Sequence, residues 1–478
     1  MKYGRDILSA PIAFSPPRVA GLPDDLQDQL TELVVLWARK RPRNQLRQLY
    51  VDAHHLVENL NLAVPADIAA RLSIVSSWPE KAVFGLSHLC MWDGVVAPSG
   101  DEDPFELGEV LRENRFDVEM PQTVASSMTH SVTFISTSVG DVASGDPDVL
   151  ILSHSAQWAS AVWDRRTRSL RCGLVINDID DLGRPTMLTL LTPEQVITCR
   201  TNGVGWFVDW HAPHGLRRVP MEALPFRPTL DRPFGRSRIS RPVMTITDRA
   251  MRAALRMDVA SELFTAPGLL IRGLTEEQWE DVKQWSWKLG TVRGLTKDEE
   301  GDLPEVDRIP QQSMQPFVEQ LRELAAEFAG ATSLPLSALG IVQDNPSSAE
   351  AIYAMKEDLV SEATAANRIY GYALNRVYQN VVMLRDGLDE PSGELAGLST
   401  RWRNPAMPSI VSQSDAMVKQ ISAIPGLAET DVALEELGYS AEQISRIRAQ
   451  MARSQARQSL MEVLADPGNS GDVGGDGV

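Results

Sequence analysis

The sequence predicts an α+β fold, and three observations carry the prediction. Apolar residues recur every three or four positions through three segments between residues 242 and 381. Over residues 130–210 they instead alternate every second position. Asp-Pro, Arg-Arg and Asp-Leu-Gly-Arg turns cut that alternating half into short stretches, as an antiparallel sheet requires. A chain of 478 residues exceeds the roughly 250–300 residues at which single cores split, so several domains are expected.

Taken in order, residues 1–22 contain prolines and read as irregular. A helix is predicted from Asp24 to about Arg39, with Leu26, Leu30, Leu33 and Trp37 on one face. Arg39, Lys40, Arg41, Arg43 and Arg47 follow; they read either as a solvated helix end and turn or as a patch for DNA or a partner. His54 and His55 are adjacent and cannot share a helix face, which disfavours a metal pair. Residues 66–92 read as mostly helical despite Pro79, and 104–114 as a further helix after an acidic loop.

The strand candidates cover Val132, Phe134 and Ile135, then residues 149–152, 158–163, 170–176, 186–191, 195–199 and 205–210, with 180–183 as a hairpin turn. Cys199, His211 and His214 lack a fourth ligand for zinc, and Ser153-His154-Ser155 lacks the glycines of a nucleophile elbow. Gly203-Val204-Gly205 lacks the third glycine and the helix of a phosphate loop.

The first of the three central helices carries Val243, Ile246, Ala250, Met257, Ala260, Leu263 and Phe264 and ends at Pro267-Gly268. Leu269 to Arg272 reads as a strand. Thr275 to Gln278 forms a capping box before a face of Trp279, Val282, Trp285 and Leu289. These tryptophans fit core or subunit contact better than ligand stacking. Val292 to Arg308 is a poor strand candidate, with Lys297 to Glu305 turn-like and a short strand closing near Ile309. The second helix carries Phe317, Leu321, Leu324 and Phe328 and is stopped by Gly330 and the segment Thr332-Ser333-Leu334-Pro335. The third opens on a Ser347–Glu350 capping box and runs past Tyr370 and Val377 to Val381. Between these two lies a loop with exposed apolar groups and a single charge, Asp344, which reads as a partner contact or as an ordinary connection.

After residues 386–399 turn, an extended stretch is predicted at 401–405. Three short helices follow at 414–424, 431–437 and 440–460, with Leu427, Leu434, Leu437, Ile444, Ile447 and Met451 available for a small core. Arg446, Arg448, Arg453 and Arg457 form a basic stripe, and the end from Asp466 is glycine-rich and acidic, hence disordered.

The order of these elements resembles the SPP1 Gp6-like family of tailed-bacteriophage portal proteins. The resemblance rests on Pro233-Phe234-Gly235-Arg236-Ser237-Arg238-Ile239 before a helix and Phe264-Thr265-Ala266-Pro267 before a strand. It rests also on Phe328-Ala329-Gly330 with Leu334-Pro335-Leu336-Ser337-Ala338-Leu339-Gly340, then Pro346-Ser347-Ser348-Ala349-Glu350-Ala351-Ile352. It implies an α+β portal fold divided into an N-terminal wing (1–230), first stem helix (231–266), clip (267–312) and second stem helix (313–333). A tunnel loop (334–346), a long helix with C-terminal wing (347–409), a helical crown (410–462) and a disordered tail (463–478) complete it. A compact helical binding module is the other reading of the crown.

The resemblance further implies a ring, of twelve subunits in the virion, at one capsid vertex. DNA would pass through it without sequence specificity, touched by Ile341, Val342, Gln343, Asp344 and Asn345, while Leu269, Ile271, Trp279 and Trp285 close the clip interface. Large terminase, head-completion or adaptor proteins and capsid or scaffolding protein are the implied partners, with assembly in the host cytoplasm. Alternatives are a non-portal phage adaptor or scaffold and a nucleotide- or DNA-modifying enzyme. For the enzyme no nucleophile, base or ligand set is apparent, and no G-x-x-x-x-G-K-[ST] loop exists.

Composition is compatible with this role. A formal charge of −18 argues against a chain that grips nucleic acid as a whole, though not against one that DNA slides past. Three dispersed cysteines indicate neither a disulfide framework nor a metal knuckle, and no run approaches the roughly 18 apolar residues of a membrane span. No cofactor or metal is expected, and no signal segment is read at residues 2–10. The chain reads as a soluble protein of a reducing compartment.

Overall fold

The computed structural model describes residues 14–55, 57, 74–99, 101, 103–265, 269–272, 305–308, 313–341, 356–391, 393–406, 410–424, 426–439 and 441–465. Strand β1 (Val19–Ala20) leads into α1 (Asp24–Val51), α2 (Trp78–Ser87), β2 (Trp92–Val96), α3 (Leu107–Glu113) and α4 (Phe116–His130). Eight strands follow: β3 (Val132–Val139), β4 (Val149–Ser155), β5 (Ala159–Asp164), β6 (Ser169–Ile179), β7 (Pro185–Leu191), β8 (Gln195–Thr201), β9 (Trp206–Pro213) and β10 (Met221–Pro225). Then come α5 (Arg241–Thr265), β11 (Leu269–Arg272), β12 (Glu305–Arg308), α6 (Gln315–Thr332), α7 (Glu357–Asp386) and β13 (Ser399–Trp402). Helices α8 (Ile410–Ala423), α9 (Asp431–Glu436) and α10 (Ala441–Ala465) end the described chain. The class is α+β, as predicted.

The chain forms two compact units. One gathers residues 1–48, 82–239 and 345–478; the other gathers 49–81 and 240–344. In the first unit, a six-stranded sheet in the order β1-β9-β8-β7-β6-β5 is antiparallel except where β1 joins β9. The two-residue period decides its faces. Cys172, Leu174, Ile176, Leu188, Leu190, Ile197 and Cys199 meet Leu26, Leu30, Leu33, Val34 and Trp37 of α1. The intervening Val175 and Leu191 meet Val132, Phe134, Met221 and Ala223 of a second sheet, ordered β10-β3-β4. Helix α7 packs on β10 and β3, and also on β13, which pairs antiparallel with β2.

Several expectations are corrected. Helix α1 does not end near Arg39 but continues through Pro42 to Val51. The amide missing at Pro42 is offset by side-chain anchors on the turn between β4 and β5: Trp37 Nε1 donates to Gln157 O, and Asn44 Nδ2 to Ala156 O. Residues 19–20 are a strand, not irregular, and β10 and α4 arise where no element was predicted. The second small strand expected to close near Ile309 is present at residues 305–308, pairing antiparallel with β11 from Leu269↔Arg308 to Arg272↔Glu305. Glu-Val-Asp-Arg is a weak strand sequence, yet backbone ladder bonds need no particular side chain.

Helix α6 passes through Gly330 and ends within the predicted Thr332–Pro335 stop, at Thr332, with Ser333 at φ +54 closing it. In the C-terminal helices Met417, Ala433 and Ile444 are buried, whereas Met451, assigned to their core, is 51% exposed. Helix α10 extends through residue 465, into the stretch expected to be a tail. The 347–350 capping box, the 275–290 helix and Ile309 lie outside the described residues.

Candidate functional site

The predicted channel segment is approached from α6 in the second unit. Leu324 is 1% exposed and Phe328 fully buried, its ring centroid 5.3 Å from that of Trp78. The Arg249 guanidinium holds Glu327 at 2.6 Å, tying α6 to α5 on their exposed side. After the left-handed Ser333, Leu334 is buried, and a short 3-10 turn at Leu336–Leu339 buries Leu339. Gly340, at φ +83, reverses the backbone, and its amide donates to Ser337 O. Lys81 Nζ donates to Ala338 O at 2.7 Å. The start of the loop is thus held by apolar burial and backbone bonding, with no charge in its own sequence from Leu334 to Ile341.

Of the five predicted channel residues, Ile341 is described, half-exposed just past this turn; Val342, Gln343, Asp344 and Asn345 lie outside the described residues. Of the predicted clip residues, Leu269 and Ile271 stand in β11, opposite Arg308 and Val306. Trp279 and Trp285 lie outside the described residues. The described structure does not bring the two sets together.

In the first unit the Pro233 to Ile239 motif is anchored along most of its length. Phe234 fits edge-to-face against Phe134 and Trp163, at 5.9 and 6.0 Å between centroids. Gly235 adopts φ +71, and a Cβ there would stand 2.0 Å from Phe226 O, the oxygen that accepts the Arg236 amide. Ser237 Oγ donates to Thr129 O. Arg238, its side chain 2% exposed, donates through Nε to Ala82 O and pairs with Glu362 of α7 at 2.5 Å. Ile239 is buried. Sequence reasoning recognised the motif without its reason: it locks the chain between the two sheets and α7 immediately before α5 begins.

Several of the other residues weighed for chemistry have structural partners. His154 Nε2 meets Ser136 Oγ at 2.8 Å, and Thr123 Oγ1 donates to Ser153 Oγ. A cavity of about 330 Å³ beside them is lined by Ser153, His154, Ser155, Trp158, Asn177 and Asp178 among others, with no carboxylate bonded to His154 among the described residues. Burial holds His154 down at about 4 and pushes the Cys199 thiol up to about 11, away from the thiolate that a metal or nucleophile role needs. His214 Nε2 lies 3.0 Å from Thr192 O. His55, buried, stacks on Tyr50, whose hydroxyl donates to Asp248. Among the described residues, no three His, Cys, Asp or Glu side chains converge as a metal site, and no helix is long and apolar enough to cross a membrane.

Comparison with known proteins gives the following. The family described as "Phage portal protein, SPP1 Gp6-like" matches residues 36–455. The portal protein of Mycobacterium phage D29 is 26% identical over 407 residues, covering 82% of this chain and 81% of that protein. That of Mycobacterium phage L5 is 26% identical over 414 residues, covering 84% and 83%. Among solved structures, a chain of the "Neck of native GTA particle computed with C12 symmetry" has a TM-score of 0.41 at 14% identity, over 76% of this chain and 89% of that one. A chain of the "Virion of native gene transfer agent (GTA) particle" gives 0.41 and 14%, over 80% and 96%.

Proposed function

This chain belongs to the SPP1 Gp6-like family of phage portal proteins, with a portal role in the virion, and from that premise we propose its working parts. Family membership implies an oligomeric ring and a channel for DNA. The ring, of twelve subunits in the particle, sits at one capsid vertex, where DNA is packaged inward and later ejected. The chain performs no covalent step; the large terminase supplies the ATP-driven work, and head-completion proteins dock on the ring afterwards. The observation that carries this reading is the family match across residues 36–455, nearly the whole chain.

Residues 341–345 are proposed as the channel-facing loop. Low charge suits that place, because a firm phosphate grip would hold the polymer in position and base contacts would make its speed depend on sequence. Leu324, Phe328, Leu334 and Leu339 support the reading from one side, since their burial gives the loop a fixed starting point. Leu269, Ile271, Trp279 and Trp285 are proposed as clip contacts between neighbouring subunits. Electron microscopy of the purified protein tests the ring, and a preparation of monomers without a central channel refutes it. Deleting residues 343–345 tests the loop: rings persist, while packaging or DNA retention changes. Normal packaging with normal retention refutes the loop assignment and leaves the ring standing.

A further inference from the structure

Helix α1 carries cations for which the proposed channel has no use. Arg39, Lys40 and Arg43 are exposed, as is Arg232 in the turn closed by the Thr229–Arg232 bridge. Arg47 is half-buried, with Nη1 donating to His130 O. These groups lie close together: partial burial first, then the fields of Arg43, Arg39, Arg47 and Arg232, hold the Lys40 ammonium below its ordinary range. Some other exposed arginines of this unit find carboxylates, Arg171 on Glu32, Arg184 on Asp180, Arg200 on Asp209 and Arg217 on Asp389, while others such as Arg112, Arg166 and Arg236 form no ion pair among the described residues; the α1 group differs from these in the number of cations gathered around one lysine. Arg39, Lys40, Arg43 and Arg232 form no ion pair with a carboxylate among the described residues, although acidic residues outnumber basic ones 64 to 46 in the chain. Clustered like charges repel one another and destabilise the compact state, and a polyanion relieves that repulsion.

The spacing indicates which polyanion. Arg39, Arg43 and Arg47 are four residues apart, so they line one helical face at intervals of about 6 Å. That is a repeated charge suited to successive phosphates. Asn44, in the same stretch, is buried and donates to Ala156 O, which withdraws it from base edges. We infer that Arg39, Lys40, Arg43 and Arg232 form a sequence-independent contact for the phosphate backbone of double-stranded DNA, on elements that contribute nothing to the loop at 341–345. The inference draws on the portal reading for the presence of DNA, and its test is separate from that of the ring.

The test uses full-length protein, assembled as purified, and two fluorescently labelled DNA duplexes of unrelated sequence. Binding is followed by anisotropy across a salt series. Each phosphate contact contributes about 0.9 to the slope of log K against log salt, so R39Q/R43Q is expected to lower the slope by about 1.8 for both duplexes. R39K/R43K keeps the charge and is expected to keep the slope. An unchanged slope in R39Q/R43Q overturns the inference, as does a preference for one duplex that the variant abolishes. Displacement of the duplex by polyglutamate at equal charge concentration assigns the patch to an acidic protein and overturns it too. Loss of rings in R39Q/R43Q by native mass spectrometry, with the slope retained, assigns the patch to a subunit contact. Micrographs of the unmodified preparation test the portal reading independently of all these outcomes.

Discussion

Gly235 has its left-handed backbone and its closeness to Phe226 O forced together, so Gly235→Ala meets both obstacles at once. The backbone conformation alone costs about 1–2 kcal/mol for a residue with a Cβ, and the collision adds to it. Chemical denaturation is expected to show a loss larger than that figure. The Arg238–Glu362 pair beside it is almost fully buried, and removing one partner strands the other's charge. Glu362→Ala should therefore cost about 3–5 kcal/mol, and Arg238→Met combined with Glu362→Leu much less. His130 links stability to pH. Burial, aided by Arg47 and opposed by the bond to Ser126 O, holds its ring down at about 4, against an ordinary value of 6.5. Between those values the unfolded chain binds a proton that the folded chain refuses. The stabilisation is complete above about 6.5 and is lost as pH falls towards about 4, by an amount on the order of 3 kcal/mol. Urea midpoints at pH 7 and 4.5 measure it, and His130→Gln should flatten the difference.

The elements show which signals a sequence transmits. Apolar periodicity located α5, α6, α7 and most strands because in those elements one face is buried and the pattern has one cause. Helix α4 escaped notice because its buried face mixes Phe116, Met120, Val124 and Met128 with Thr123, Ser127 and Thr129, whose hydroxyls bond locally or across to other elements. The run of α1 through Pro42 depended on anchors more than 100 positions away, which no local window contains. The loop itself was legible as composition and place, and its start can be tested. Phe328→Ala should destabilise by about 3–5 kcal/mol and Leu324→Ala by about 2–5 kcal/mol. Val318→Ala, on the same helix but 36% exposed, should change little, which thermal unfolding of the three variants checks. The capping box was read from spacing and the two clip tryptophans from spacing and family resemblance, and neither says which subunit a side chain faces.

At the scale of the whole molecule, ring closure brings together chains that each carry −18. Their repulsion is screened over about 10 Å at 0.1 M salt, so the ring fraction seen by native mass spectrometry is expected to rise with ionic strength from a low-salt start. If Trp279 and Trp285 bury area between neighbours, replacing both by alanine should lower ring yield and leave helix content intact by circular dichroism; unchanged assembly removes them from the interface.

The first unit also draws on three separated stretches of chain, and this governs how it is made. The Arg401 Nη2 that donates to Asp93 O is 308 positions further on, and β2 has no β13 to pair with until that stretch leaves the ribosome. At about 5–20 residues per second the wait is roughly 15–60 s. Throughout it, the β2 edge and the sheet surface destined for α7 stand open to any other nascent chain, as many copies are being synthesised side by side. Premature termination before Ser399 would leave that edge open permanently, so chaperone capture should concentrate on such fragments and spare the finished chain.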